Sequence, residues 1–352
     1  MSKKLRSGYT TGTHATAVLV ACFSEYCDAL VMNTLSLKLP QQKTATIKVL
    51  REKKYTFSTI KVDNDDMDVT KGAKISCTLQ IQQPLNLQQQ TPSVLMLGKS
   101  ILYVWAGEGV GVVSKKGLKI EPNYPAINPT PLSMMKENSI KIIGDCKEEF
   151  HAIFEVENGK EIAKQTANEK VGVLGGISIL GTRGIVKPVS SEAYIDSIEA
   201  EINVAAAFDE SVIVFTLGNS ALDYAKEHFH NTSIVEIGNF VYDASAKLQE
   251  HQFKKIVFIT SIAKMTKVAQ GFKNTHNRFG NLDLDEVKEW IFDRFSVKVE
   301  GEFVTLKGLL ESLDKRYHKE FIELVSQKSA LVLKSWFTDL SVTVGELKVV
   351  TL

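Results

Sequence analysis

The sequence predicts a mixed protein of two domains, an α+β domain over residues 1–165 followed by a Rossmann-like α/β domain over residues 166–352. Its 352 residues exceed the roughly 100 to 200 residues of a typical single domain. The first half shows one long helical pattern and then segments of alternating polarity. In the second half, short apolar segments alternate with helical ones, which indicates a parallel sheet because parallel neighbours need a crossover connection.

The first helix is predicted from His14 to about Met32, because apolar residues recur there with helical spacing and threonines suited to N-capping precede them. Alternating polar and apolar residues then predict four half-buried antiparallel strands and a fifth strand further on. They are Thr44–Leu50, Tyr55–Val62, Lys74–Gln82, Ser100–Trp105 and Phe150–Glu157. The prolines between Glu121 and Pro131 exclude a helix interior or a central strand, so an ordered loop or crossover is predicted there.

Buried parallel strands are predicted at the apolar segments of the second half. They are Val171–Leu174, Ser211–Leu217, Ser233–Ile237 and Lys255–Thr260. Two Gly-Asn pairs, Gly218-Asn219 and Gly238-Asn239, lie where a strand ends and a helix begins, so both turns are expected at the carboxyl edge of the sheet. The C-terminal stretch is predicted to form two helices and a closing hairpin.

Composition restricts the classes of partner. Lys plus Arg number 42 against 41 for Asp plus Glu, a net charge of +1, so no global field exists to hold nucleic acid or an anionic membrane. The four cysteines form no CxxC pair, which argues against structural zinc and a disulfide framework. No apolar run reaches the roughly 18 residues of a membrane span. We therefore expect a cytoplasmic protein with a small-molecule ligand and no metal; a homo-oligomer stays open.

A loop rich in glycine and hydroxyl groups runs directly into the first helix. Its candidate ligand-binding residues are Thr10, Thr11, Gly12, Thr13 and His14. The unpaired amides and positive dipole end of a helix N-terminus suit an anionic group, and threonine hydroxyls add donors without adding charge. A helix cap that binds nothing is the plainer interpretation, and the pattern alone leaves both open.

A second glycine-rich loop follows the predicted strand at Val171–Leu174. Glycines let a backbone approach a ligand closely and form an anion-accepting nest, and ligands of parallel sheets bind at their carboxyl edge. The loop is neither a P-loop nor a GxGxxG motif, and a tight turn with close packing is the alternative. Its candidate cofactor-binding residues, with those of the two Gly-Asn turns, are Gly175, Gly176, Ser178, Gly181, Thr182, Gly218, Asn219, Gly238 and Asn239.

Two further segments carry groups that can move protons or bind anions. Asp65 and Asp66 belong to a carboxylate cluster that can accept a proton; a solvated turn is the alternative. His276 titrates near neutrality, and Arg278 beside it can grip a carboxylate with two hydrogen bonds. A pair of this kind is more often structural than functional.

Taken together, these segments resemble the CbiD family in order and nearly from end to end. The matching motifs are Gly8–Thr13, Asp65–Thr70, Gly107–Gly111, Pro125–Pro129, Gly175–Thr182, Gly238–Val241 and Thr275–Arg278. Several long motifs in the right order are far more specific than any one of them. The chain is thereby identified as a divergent member of that family.

The resemblance implies an S-adenosylmethionine-dependent methyltransferase that acts on C1 of cobalt-precorrin-5B, a corrinoid with acetate and propionate arms. Backbone amides of the glycine-rich loop would hold the carboxylate of the methyl donor. The substrate would be bound by the threonine loop with His14 and by four further residues: Lys115, Asn128, Arg183 and Arg278. His276, Asp65 or Asp66 would serve as a base that tunes the protonation of the ring.

The sequence departs from the family pattern at several positions. His14 stands where the family usually has cysteine, and Thr260–Lys264 replaces a Gly-His-x-Gly-Lys loop. Leu132 also replaces a common arginine, and Lys116 a proline. Two alternatives therefore stay open beside the corrinoid methyltransferase: a related transferase for another acidic tetrapyrrole, and a ligand-binding homologue without catalysis.

Overall fold

The protein divides into two units, Met1–Ser191 and Glu192–Leu352, in a computed structural model. The structure describes residues 7–61, 68–87, 89–186, 191–209 and 211–352. Asp65 and Asp66, the two carboxylates predicted to be catalytic, lie outside these ranges. Within the described residues, no helix combines the length and the apolar character needed to cross a lipid bilayer.

The first unit combines helices with a mixed sheet and several short strand pairs. Its helices are α1 (Thr11–Asp28), α2 (Pro129–Ile143) and α3 (Gly159–Ala163). Its strands are β1 (Gly8–Tyr9), β2 (Thr34–Lys38), β3 (Thr44–Lys48), β4 (Leu50–Lys53), β5 (Thr56–Ile60), β6 (Lys74–Gln80), β7 (Ser93–Leu97), β8 (Ser100–Ala106), β9 (Gly109–Val110), β10 (Val112–Val113), β11 (Glu149–Val156), β12 (Val173–Leu174), β13 (Gly176–Ile177) and β14 (Ile185–Val186).

Helix α1 lies at the centre of the first unit. Thr10 caps it by accepting a hydrogen bond from the Thr13 amide, and Ala29 ends it with a left-handed φ of 54°. All its residues from Thr11 to Glu25 are buried, which the small and apolar side chains of this helix permit. It packs on the six-stranded sheet β4-β5-β6-β11-β8-β7, where every second residue of β6 is buried. The predicted helix is therefore confirmed, although it begins three residues and ends about four residues earlier than predicted.

The sheet is mixed, because β11 runs antiparallel to β6 and parallel to β8. Helix α2 lies between β8 and β11 in the chain and belongs to the crossover that a parallel pair requires. We predicted no helix near Pro129 and Pro131, but α2 begins at Pro129. Both prolines lie in its first turn, where the backbone amide has no helical partner to lose.

The glycine-rich loop belongs to the first unit. Strand β12 pairs antiparallel with β10, and β13 pairs with β9. The prediction that Val171–Leu174 enters the parallel sheet is therefore wrong, and so is a division of the chain near residue 165, because the segment completes ladders with strands of the first unit. The division falls after Ser191.

The second unit is an α/β layer structure. Its helices are α4 (Glu192–Phe208), α5 (Asn219–His228), α6 (Val241–Ala246), α7 (Ile262–Ala269), α8 (Leu284–Phe295), α9 (Leu306–Ser312) and α10 (His318–Asp339). Its strands are β15 (Val212–Leu217), β16 (Ile234–Glu236), β17 (Lys255–Thr260) and β18 (Glu346–Thr351). The strands form one sheet in the order β16-β15-β17-β18, and every pair is parallel.

Helices cover both faces of this parallel sheet. Ala221 and Ala225 of α5 pack on one face, together with Val214 and Val257. The opposite face builds the larger core, with residues of α4 and of α6 to α10. The predicted closing hairpin is wrong, because β18 pairs parallel to β17 and extends the sheet.

Gly176→Val should destabilise the first unit by about 3 kcal/mol, because a side chain there meets backbone that cannot move away. A Cβ on Gly176 would lie 2.1 Å from the carbonyl oxygen of Gly109. Gly175→Ala is the matched control: nothing lies within 4 Å of its Cβ position, so only the positive φ of 86° costs about 1 to 2 kcal/mol. Urea unfolding measures both, and a wild-type midpoint for Gly176→Val would contradict the packing role.

Candidate functional site

The threonine loop of the first unit has internal partners for its hydroxyls. Thr11 Oγ1 donates to the carbonyl of Leu180 at 3.2 Å and accepts from its amide at 2.9 Å. Thr13 Oγ1 donates to the carbonyl of Gly184 at 2.7 Å, and Thr10 Oγ1 accepts from the Thr13 amide. These three threonines are buried and lock the loop onto residues 180–184. Substrate binding by these hydroxyls stays a prediction, and the geometry favours a structural cap.

His14 is buried with a defined tautomer. Its Nδ1 lies 3.2 Å from Thr59 Oγ1, whose own proton is donated to the Lys48 carbonyl at 2.7 Å. Thr59 Oγ1 must therefore accept, so the imidazole proton is on Nδ1. Nε2 is left as an unprotonated acceptor that has no hydrogen-bond partner among the described residues. Burial, and then the charge of Lys61, lower the pKa of His14 to about 4, so the ring is neutral at physiological pH.

Close to His14, the buried Lys61 forms an ion pair with Asp68, which is half-buried. Asp68 also accepts from the Thr70 amide at 2.9 Å and from the Thr70 hydroxyl at 2.5 Å. Burial alone raises the pKa of Asp68, but the hydrogen bond and charge of Lys61 outweigh it, so the pKa lies below its usual value. The pair is thus ionised and stabilises the end of the family's Asp-Val-Thr segment.

The other predicted substrate residues of the first unit lie at separate points. The amide of Asn128 donates to the Ile179 carbonyl at 2.9 Å, which brings Asn128 beside the threonine loop and residues 178–184. Lys115 Nζ donates to the Lys170 carbonyl at 3.2 Å, and Gly172 packs on its stem. Arg183 is half-buried and Thr182 exposed in the loop between β13 and β14.

The glycines of this loop approach the chain's own atoms. Gly176 faces the backbone of Gly109, and a Cβ on Gly181 would lie 2.3 Å from Thr10 Oγ1. Gly175 is exposed with open space beside it, and Ser178 is half-buried. We predicted a cofactor site in this loop because we expected the loop at the carboxyl edge of the parallel sheet. The loop does not lie on that sheet, so this reason no longer holds. Cofactor binding by these residues stays a prediction without that support.

In the second unit, the turns after β15, β16 and β17 share one edge, because the strands are parallel. Gly218 follows β15 with a φ of 103° and offers no side chain to cap α5. The first helical hydrogen bond runs from the Leu222 amide to the Gly218 carbonyl at 3.1 Å. The amides of residues 219–221 therefore have no helical partner, so the uncapped helix start can accept an anion.

Lys264 brings a positive charge to this turn. Its Nζ lies 3.8 Å from the position that a Cβ would take on Gly218. Burial, and then the charge of Lys267, lower the pKa of Lys264. Within the described residues Lys264 forms no ion pair. Sequence reasoning did not include Lys264 among the site residues, although a lysine just after a strand end, in the position of the family's loop lysine, was the available signal.

The turn after β16 supports the loop that carries His276 and Arg278. Asn239 accepts from the Thr275 amide at 3.0 Å through its carbonyl and from the Thr275 hydroxyl at 2.8 Å through its side chain. Gly238 has a φ of 58°, and a Cβ there would lie 2.9 Å from the Tyr194 hydroxyl. Close packing thus explains Gly238, and Asn239 acts as a brace between two loops.

His276 and Arg278 are exposed at the end of this brace. The Arg278 amide donates to His276 Nδ1 at 3.1 Å, so the proton of the neutral ring is on Nε2. The Arg278 guanidinium lies 4.6 Å from the centre of the Phe279 ring. The neutral His276 ring therefore presents a donor at Nε2, and within the described residues the Arg278 guanidinium forms no ion pair.

The second unit is thus an α/β unit whose parallel sheet brings the uncapped start of α5 and Lys264 together at its carboxyl edge. The family model described as CbiD matches residues 1–188, and the chain belongs to the CbiD family. The cobalt-precorrin-5B C(1)-methyltransferase of Thermoanaerobacter sp. strain X514 is 35% identical over 348 residues, which cover 96% of this chain and 91% of that protein.

Similar relatives occur in archaea. The cobalt-precorrin-5B C(1)-methyltransferase of Methanococcus maripaludis is 31% identical over 338 residues, covering 91% of this chain and 90% of that protein. Among solved structures, a cobalamin biosynthesis protein (CbiD) from Archaeoglobus fulgidus matches with 21% identity and a TM-score of 0.42, covering 99% of this chain and 87% of that one. The sequence relatives thus span nearly the whole chain.

His14 should make the fold sensitive to acid. Its pKa is lowered from 6.5 to about 4 in the folded protein, so the unfolded chain binds more protons in that interval and stability falls as the pH falls. Between about pH 7 and about pH 4.5 the free energy of unfolding should drop by about 2 kcal/mol more in the wild type than in His14→Cys, which does not titrate there. Urea unfolding at each pH measures this free energy. The same pH dependence in the wild type and in His14→Cys would disprove a buried neutral His14.

Proposed function

We propose that this protein transfers a methyl group from S-adenosylmethionine to C1 of cobalt-precorrin-5B and so produces cobalt-precorrin-6A. The proposal rests on the similarity of nearly the whole chain to proteins that are named for this activity. Cobalt-precorrin-5B C(1)-methyltransferases at 31% and 35% identity cover 91% and 96% of this chain. The family membership supports a methyltransferase in cobalamin biosynthesis with a small corrinoid substrate.

We also propose that the second unit is Rossmann-like and binds the methyl donor. The strand order of its sheet is β16-β15-β17-β18. The chain thus moves from β15 to one side of the sheet for β16 and to the other side for β17 and β18, so the strand order reverses between β15 and β17. Ligands of open α/β sheets bind at such a reversal, outside the carboxyl ends of the strands. The turn at Gly218 and the start of α7 lie at that point.

The residues at this edge fit the amino-acid end of S-adenosylmethionine. Its carboxylate needs donors and positive charge, which the free amides of residues 219–221 and Lys264 supply. Gly218 leaves room for a close approach because it has no side chain. Glu236, the last residue of β16, is the residue we propose to accept from a ribose hydroxyl.

When bound, S-adenosylmethionine supplies an electrophilic methyl group on a sulfonium. The chain's part is to hold both reactants in line and to keep water out, and alignment can supply roughly 7 to 11 kcal/mol of the barrier. Arg278 is the residue we propose for a carboxylate arm of the corrinoid, because it is exposed and forms no ion pair within the described residues. His276 Nε2–H would add a second donor beside it.

The function is tested by incubating the protein with cobalt-precorrin-5B and S-adenosylmethionine and following the product by mass spectrometry. The expected result is the gain of one methyl group. If S-adenosylmethionine binds but cobalt-precorrin-5B gains no methyl group, a transferase for another acidic tetrapyrrole is favoured. If neither S-adenosylmethionine nor its demethylated product binds to folded protein, the chain is a ligand-binding homologue without this catalysis.

Lys264→Met should weaken the binding of S-adenosylmethionine by roughly 10- to 100-fold, because a charge-assisted hydrogen bond to its carboxylate is lost. Lys254→Met is the matched control, since Lys254 is exposed and lies just before the opposite end of β17. Titration calorimetry measures both affinities. Equal affinities for the two variants would place the carboxylate of the donor elsewhere.

A further inference from the structure

Lys267 is a buried cation whose three N–H groups all bind uncharged oxygens. The residue lies on α7 and is 5% exposed. Its Nζ donates to the Thr275 carbonyl at 3.2 Å, to Asn277 Oδ1 at 2.8 Å and to the Gly280 carbonyl at 2.9 Å. An ammonium has three donors, so its hydrogen-bonding capacity is filled without any carboxylate.

The three acceptors belong to one short turn. His276, Asn277, Arg278 and Phe279 are exposed, so the turn has little apolar packing of its own. Its other supports include the bonds from Thr275 to Asn239 and the bond from the Arg278 amide to His276 Nδ1. Lys267 therefore binds the turn from its buried side. Two of its acceptors, the carbonyls of Thr275 and Gly280, flank the four exposed residues.

We propose that Lys267 is a positioning residue for the acidic substrate: its ammonium holds the Thr275–Gly280 turn in the conformation that presents Arg278 and His276 to carboxylate arms. The inference rests on the proposed function, because it assigns the exposed side of the turn to the corrinoid. A turn fixed before binding lowers the ordering cost of recognition and keeps the ligand in line for transfer.

The charge of Lys267 is necessary for this role. A neutral amine has only two N–H groups, so deprotonation would remove one of the three bonds and turn a lone pair towards a carbonyl oxygen. Burial lowers the pKa of Lys267, because the charged form loses hydration in the interior of the protein. An apolar side chain of similar length fills the space but leaves the carbonyls of Thr275 and Gly280 without their donor.

Lys267→Met should raise the KM for the corrinoid about tenfold and change kcat much less, because binding geometry is lost while the methyl donor's site is kept. Arg278→Ala should also raise KM. If Lys267 acts through Arg278, the double variant costs little more than Arg278→Ala alone. A wild-type KM in folded Lys267→Met, or KM effects that multiply in the double variant, would overturn the inference.

Two further variants keep the test decisive if Lys267→Met does not fold. Asn277→Ala removes one of the three acceptors from an exposed position and should raise KM in the same direction. Lys273→Met is the matched control, because Lys273 lies in the same segment with its Nζ 3.9 Å from the centre of the Tyr242 ring. Among the described residues, its Nζ forms no hydrogen bond to the acceptors of the turn. A wild-type KM in Asn277→Ala counts against the proposal.

A readout without substrate separates this inference from the proposed function. The amides of Phe279 and Gly280 donate to the carbonyls of His276 and Asn277. Their hydrogen exchange should be faster by on the order of tenfold in Lys267→Met and unchanged in Lys273→Met. Faster exchange without any methyl transfer would remove the corrinoid assignment only, whereas unchanged exchange in active protein would remove the role of Lys267.

Discussion

The parallel pairing of β15 with both of its neighbours is the constraint on which the second unit depends. Val214 lies opposite Ile234 on one side and Val257 on the other. Because all these strands point the same way, the connections after β15 and β17 leave from one edge and diverge there, and the backbone at that edge is not closed by a ladder. The start of α5 and Lys264 of α7 meet as a consequence of this topology.

The local sequence pattern was sufficient to predict secondary structure where a single segment determines its own conformation. Lys255–Thr260 was predicted and found as a strand with the same bounds, and the strand predicted at Ser211–Leu217 is Val212–Leu217. In α1, helical spacing of apolar residues and a threonine cap act within a single stretch of chain, so periodicity reveals them. The two Gly-Asn turns followed, because strand–turn–helix order fixes the edge on which they lie.

The sequence did not show in the same way which strand, ligand or backbone segment each element packs against. Val171–Leu174 is apolar enough for a central parallel strand, yet β12 pairs with β10 in a two-residue ladder. Glycine allows close approach to a ligand and to the chain's own backbone equally well, and Gly176 faces Gly109. The roles of Lys264 and Lys267 depend on which way each side chain of α7 points, and that is set by tertiary packing rather than by residue type.

Two buried lysines differ in whether a carboxylate balances their charge. Lys61 forms an ion pair with Asp68, so a neighbouring carboxylate balances its charge. Lys267 binds only uncharged oxygens, and neither Lys264 nor Arg278 forms an ion pair within the described ranges of the second unit. Their fields therefore add at the sheet edge, although the chain as a whole carries a net charge of only +1. The acidic ligand that we propose would meet this local placement of charge, which the overall composition conceals.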